Sequence, residues 1–180
     1  MRGKILLAGL CILLLLIMSS AAGDISNFPG MFIKDNAIDA VIIVGKHAHA
    51  EDVIGSIDIA LALQDAAGIP SKQSIAMLDT QIGDITAQNV IVVGGPCANA
   101  AAAKLLGYPE NCMQGFKIGE GMIKLFEHDN GKISLLVAGA TAMDTRTATS
   151  VLADYKNYNL YGNDILIETI DYTELGVKTS

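Results

Sequence analysis

The chain has 180 residues, 51% of them apolar and 5% aromatic, and its 19 acidic against 12 basic side chains give a formal charge of −7. Lysines this few and scattered argue against nucleic acid or anionic lipid as a partner, and an acidic surface suits water or divalent cations instead. The length allows one domain with a real core.

Residues 1–22 read as a secretory signal peptide. Met1-Arg2-Gly3-Lys4 is a short basic start, 5–18 is an apolar run, and Ser19-Ser20-Ala21-Ala22-Gly23 supplies small residues for cleavage after Ala22 or Gly23. The alternative is an uncleaved anchor, because 5–22 approaches the length that spans a bilayer. Cys11 follows Leu10 inside the apolar run and does not read as a lipid-attachment cysteine. Cleavage after Ala22 leaves one α/β domain, 23–180, of 158 residues, and loss of Arg2 and Lys4 takes the charge to −9. No second apolar run is long enough to cross a membrane, so the expected location is secreted, extracellular or on the cell surface.

Residues 24–39 contain Pro29-Gly30 and carry no strong signal. Val41-Ile42-Ile43-Val44-Gly45 follows, a β-branched run ending in glycine, and the pattern recurs at Val90-Ile91-Val92-Val93-Gly94-Gly95 and Leu135-Leu136-Val137-Ala138-Gly139. Such runs suit strands buried on both faces, so the fold class is α/β, a layered, mostly parallel sheet flanked by helices. Gly45, Gly94, Gly95 and Gly139 are read as structural turns that let strand and helix approach closely.

Between the copies, residues from about 50 to 67 place Val53, Ile54, Ile57, Leu61 and Gln64 at helical spacing, and Gly68 with Pro70 ends that helix. A short strand is expected at 74–78, a polar connection at 79–88 and a third strand at 89–93. Pro96 opens a helix, since its fixed φ suits a first turn, and the alanine-rich run 98–106 stops at Gly107 with Pro109 beyond. Apolar runs at 122–127 and 132–138 flank His128-Asp129-Asn130-Gly131, and Asn-Gly in that setting signals a β-hairpin insertion. Its second strand is also the third strand–glycine copy. The last helix covers 142–155, capped by Thr141 or Asp144 and burying Val151, Leu152 and Tyr155. A final strand follows at 165–170, and the polar tail from Asp171 ends the domain or begins a continuation.

Candidate chemistry is sparse. His47-Ala48-His49-Ala50-Glu51-Asp52 is the cluster with metal-ligand character: extended, it points both histidines to one side with Glu51 or Asp52 supplying oxygen. The competing reading is that Glu51 and Asp52 serve a helix N-terminus electrostatically. Gly94-Gly95-Pro96 resembles a phosphate-cradling turn but lacks the Lys-Ser/Thr of a P-loop. Cys97 lies where a helix N-terminus would lower its pKa, yet no histidine–acid pair is placed by sequence to activate it. With Cys112 it makes an even pair in an exported domain, which favours a disulfide over two buried thiols. Closing a loop of about 15 residues contributes about 3 kcal/mol. Arg146, the one arginine after cleavage, begins the last helix beside the capping Asp144, and an ion pair is its default role. The sequence shows no serine nucleophile elbow, paired catalytic acids, cofactor fingerprint or Asn-x-Ser/Thr acceptor. The chain therefore reads as a non-enzyme without an organic cofactor. A second reading is a small-ligand module, with Gly45, Gly94, Gly95 and Gly139 converging at the carboxyl ends of the strands.

Several stretches together carry a family resemblance. Val41-Ile42-Ile43-Val44-Gly45 with Ala48, Ala50, Glu51-Asp52-Val53 and Asp58-Ile59-Ala60 resembles the opening of archaeal S-layer proteins. So do VIVVGGPCAN from Val90 to Asn99, Gly119-Glu120 with Ile123-Lys124-Leu125-Phe126, and LVAGATAMDTR from Leu136 to Arg146. The likeness runs over roughly 40–155, in matching order and spacing. It implies an exported, non-catalytic structural protein that assembles with like or related subunits into a cell-surface layer. No cofactor is expected, with a divalent cation such as calcium available to bridge acidic surfaces between subunits.

Overall fold

The structure is a computed structural model and describes residues 23–69, 75–171 and 174–179. The expected signal segment, Pro70 and the start of the 74–78 strand lie outside the described residues. The segment before the first glycine-ended strand is structured despite its weak sequence signal. Two 3-10 turns, Ile25–Asn27 and Gly30–Phe32, lead into a two-stranded ribbon, β1 (Ile33–Lys34) and β2 (Ala37–Ile38). They bury Ile25, Phe28 and Phe32, with Phe28 edge-on to both Phe32 and Tyr155.

The main sheet has seven strands: β3 (Val41–Val44), β4 (Ala76–Leu78), β5 (Val90–Val93), β6 (Glu120–Glu127), β7 (Ile133–Gly139), β8 (Asp164–Asp171) and β9 (Glu174–Thr179). Their order is β4-β3-β5-β7-β6-β8-β9. The first four in that order are parallel, and β6, β8 and β9 extend the sheet by antiparallel pairing. Five of the seven strands thus share one direction, as a mostly parallel α/β sheet requires. The three glycine-ended runs became neighbours at its centre. Ile42, Ile91 and Leu135 stand in register, as do Val44, Val93 and Val137. Alternation sends both rows to one face, while Ile43, Val92 and Leu136 form the matching row on the other.

Helices α1 (Ala50–Ala67) and α3 (Ala142–Ala153) pack side by side on the first face, and the short α2 (Ala100–Leu105) covers the second through Ala101 and Ala102. Gly68 closes α1 in the left-handed conformation at φ 65°. The side of α1 that meets the core carries Asp52, Gly55, Ser56, Ile59 and Leu63. The Val53, Ile54, Ile57 and Leu61 stripe faces away from it. The hairpin forms as expected around Asn130-Gly131, where the Asn130 side chain accepts from Lys132 N–H at 3.0 Å and Gly131 takes φ 76°.

Three element expectations are corrected. α2 does not begin at Pro96: Asn99 is its N-cap, its Oδ1 accepting from Ala101 N–H at 3.0 Å, and Pro96 stays in the preceding loop. α3 stops at Ala153, and Tyr155 belongs to a separate 3-10 turn, Tyr155–Asn157. The polar tail, given no strand in the sequence, holds β9 over Glu174–Thr179, paired antiparallel with β8 from Asp171↔Glu174 to Ile165↔Thr179.

Candidate functional site

The carboxyl ends of β3, β5 and β7 surround an open crevice of about 490 Å³. Topology explains its place. From β3 the chain passes through α1 to β4 on one side, then returns to β5 on the other side of β3. α1 lies on one face of the sheet and α2 on the opposite face, so the loops leaving β3 and β5 diverge. Such a switch point is where open α/β sheets form ligand crevices.

The loop after β3 runs from Gly45 to His49, which is the N-cap of α1. His47 and His49 are exposed on the crevice wall, and Asp52, only 2% exposed, lies beneath it. Asp52 Oδ2 accepts from His49 N–H at 3.0 Å, the reciprocal half of a capping box. Its Oδ1 has no hydrogen bond of normal geometry. Burial raises the Asp52 pKa, against the smaller opposing pull of the His49 N–H and the Thr145 hydroxyl. Glu51 and Asp52 occupy the first helical turn, where the helix field favours acids.

The loop after β5 is held by one buried side chain. Asn99 donates through Nδ2 to Ile43 O at 3.1 Å and to Val93 O at 2.8 Å, joining the ends of β3 and β5 while its oxygen caps α2. This draws the 98–99 backbone across β3. A β-carbon at Gly45 would stand 2.1 Å from Ala98 O, so only glycine fits there. Gly139 at the end of β7 is equally confined, its missing β-carbon 2.6 Å from Thr145 N. Gly94 adopts φ 102°, a conformation open chiefly to glycine, whereas at Gly95 an added carbon meets only Gly139 O at 3.1 Å. Three of the four glycines are thus sterically required, and Gly95 is the permissive one.

The third wall is the α3 start. Thr141 and Asp144 form a full capping box, with Thr141 Oγ1 accepting from Asp144 N–H at 3.1 Å and Asp144 Oδ2 accepting from Thr141 N–H at 3.0 Å. Asp144 Oδ1 also accepts from Gly119 N–H at 3.2 Å, tying the loop before β6 to the same helix. Cys97 and Cys112 are disulfide-bonded across the rim of the crevice, with a sequence separation of 15. A bonded Cys97 offers no thiolate, which removes the nucleophile that its position suggested.

The structure brings His47, His49 and Asp52 to one crevice but does not bring them with Glu51 into a ligand set. Among the described residues, no group of three or more histidine, cysteine, aspartate or glutamate side chains is placed to hold a metal ion. Arg146 faces the other way, its Nη2 2.6 Å from Asp58 Oδ2 on α1. One contact escaped sequence reasoning: His128 Nε2 lies 2.7 Å from Ser134 Oγ at the hairpin base. Ser134 is fully buried within β7, so the pair ties the hairpin rather than presenting a nucleophile. Ser134 stands opposite Phe126 and His128 opposite Lys132, so the contact is a diagonal one across the hairpin that the sequence does not announce.

The arrangement is rich in ties between segments of the one chain and poor in reactive groups. No helix among the described residues is long and apolar enough to cross a membrane. No curated protein matches the chain. A family model described as the S-layer like family, outer domain, matches residues 62–156, from the second half of α1 through the turn after α3. Gly94, Gly95, Gly139 and both disulfide cysteines fall inside that match, while His47, His49 and Asp52 precede it. A match over more than half of the chain makes this protein a member of the S-layer like family through its outer domain.

Proposed function

We propose that the chain is an exported structural module of a cell-surface layer, one α/β domain over 23–180, that works by associating with like or related subunits and not by catalysis. Family membership carries this reading, since it implies a structural role at the cell surface. The Cys97–Cys112 disulfide supports it, because such bonds persist in oxidising compartments outside the cytosol. The basic, apolar and small-residue order of residues 1–22 supplies the export route. With a formal charge of −9 over 23–180, copies repel one another, so a divalent cation such as calcium bridging acidic surfaces would favour their association. Sedimentation velocity of purified 23–180 across a concentration series, with and without calcium, tests the reading. Association that grows with concentration supports it. A chain that stays monomeric throughout in both conditions contradicts it.

The crevice favours a second reading, a small-ligand module, because it opens at the switch point with His47 and His49 on its wall. A thermal shift with sugars or phosphates, lost when both histidines are replaced by alanine, would support that reading; flat melts would remove it.

A further inference from the structure

Helix α1 is apolar on two opposite sides. Ile59 and Leu63 are fully buried against the sheet and α3, yet Val53, Ile54, Ile57 and Leu61 are 42, 48, 52 and 53% exposed. Helical spacing gathers these four into one stripe opposite Ile59 and Leu63. A single exposed isoleucine is ordinary, but a contiguous row of four large apolar side chains is the mark of a surface that is covered in use. A surface helix normally turns a polar side to water, whereas this one confines its acids to one edge and turns the apolar stripe outward.

The rim of the stripe indicates what covers it. Asp58 is paired with Arg146 at 2.6 Å, and Asp65 with Lys156 at 3.1 Å, each cation arriving from α3 or the turn after it. Of the three acids along that edge of the stripe, Glu51, Asp58 and Asp65, the two beside Ile57 and Leu61 are matched by intrachain cations. The whole chain is strongly acidic, so a second copy is repelled over much of its surface. An apolar face whose rim is largely neutralised is where an identical acidic molecule can approach at the least penalty. An oppositely charged partner would gain nothing by choosing it.

Resting on the assembly reading above, we infer that the Val53, Ile54, Ile57 and Leu61 face of α1 docks against a second copy of this chain. Four half-exposed side chains fall well short of the ~800 Å² per partner of a stable pair. The contact is weak by itself and becomes firm where each subunit also meets other neighbours. Such reversibility suits subunits that must find their register in a layer.

The test uses disulfide-intact 23–180 and the variants Ile57→Glu and Leu61→Glu, with Ile118→Glu as a control on a loop residue that is 81% exposed. Sedimentation is followed up to high protein concentration, and each variant is melted. The expected result is concentration-dependent association of wild type and Ile118→Glu, loss of association in both α1 variants, and melting temperatures close to wild type. Association of Ile57→Glu and Leu61→Glu equal to wild type would overturn the docking face and leave the assembly reading standing. A large drop in their melting temperatures would show that the stripe serves the monomer's own packing, and would also overturn it. A wild type that never associates contradicts both. A wild type that stays monomeric but floats with phosphatidylcholine vesicles, in a manner lost in Ile57→Glu, would assign the face to a membrane and overturn the second copy.

Discussion

The carbonyl oxygen of Ala98 lies over Gly45 so closely that a β-carbon at position 45 would stand 2.1 Å away. Asn99 keeps it there by bonding Ile43 O and Val93 O together. Replacing Gly45 with alanine must push the 98–99 backbone off β3 and break that tie, at a cost of about 2–4 kcal/mol. Gly95→Ala meets only a 3.1 Å contact with Gly139 O and is expected to cost about 1 kcal/mol or less. Chemical denaturation of both variants checks the ranking; equal losses would contradict the geometry.

Reduction of Cys97–Cys112 frees a loop of sequence separation 15 in the unfolded chain. The expected loss is about 3 kcal/mol, or roughly 6–12 °C in melting temperature for a domain of this size. Calorimetry with and without reductant measures it. A melt unchanged by complete reduction would show that the bond does not stabilise the fold.

Asp52 predicts a pH dependence. Burial raises its pKa above the ordinary 3.8, so the folded protein holds the proton more tightly than the unfolded chain does. Its contribution to stability is therefore full below pH 3.8 and declines as the pH rises through the folded-state value. Asp24 and Asp84 act in the opposite sense, lowered by hydrogen bonds with Ser26 and Thr86 respectively, and their contributions are lost as the pH falls. Comparing Asp52→Asn with wild type cancels those two. The asparagine can still accept from His49 N–H, so the cap survives. The stability difference should shift in the variant's favour as the pH rises from below 3.8 to neutrality. A difference that does not vary with pH would contradict the raised value.

The central sheet was legible because its strands announce themselves locally: β-branched runs ending at Gly45, Gly94 and Gly139, and an Asn130-Gly131 turn whose geometry depends on those residue types. Other features depend on partners distant in sequence. Pro96 suits a helix start, but Asn99 is the cap because its amide is also needed 56 residues away at Ile43 O. β9 alternates Leu175 and Val177 with Glu174, Gly176 and Lys178, a faint pattern for a strand at the sheet edge. The apolar spacing on α1 was visible, but which side meets the core was not, because Ile59 and Leu63 form a second apolar row. The crevice was half legible: converging glycines at strand ends are readable, whereas burial of Asp52 and closure of the loop over Gly45 arise only from the packed fold.

The Arg146–Asp58 pair joins α3 to α1 at the rim of the exposed stripe, and both side chains keep about a third of their surface in water. Solvent screening limits its worth, so Arg146→Ala is expected to cost about 1 kcal/mol or less in monomer stability. Its larger effect should be on association, because Asp58 is left as an unmatched charge beside the stripe. Sedimentation at low and high ionic strength checks this: added salt should restore association of Arg146→Ala more than it changes wild type. Equal salt responses would contradict the role given to the neutral rim.

The central claim is that this chain works as a subunit of a cell-surface layer. Intact cells that produce it can be treated with a membrane-impermeant, amine-reactive cross-linker, for which Lys46 and Lys117 offer exposed amines. Mass spectrometry then identifies the joined peptides. The account predicts cross-links between two copies of this chain, or between it and related surface-layer subunits, without lysis of the cells. A chain that is labelled only after lysis, or that is labelled on intact cells solely as an unlinked monomer, would contradict it.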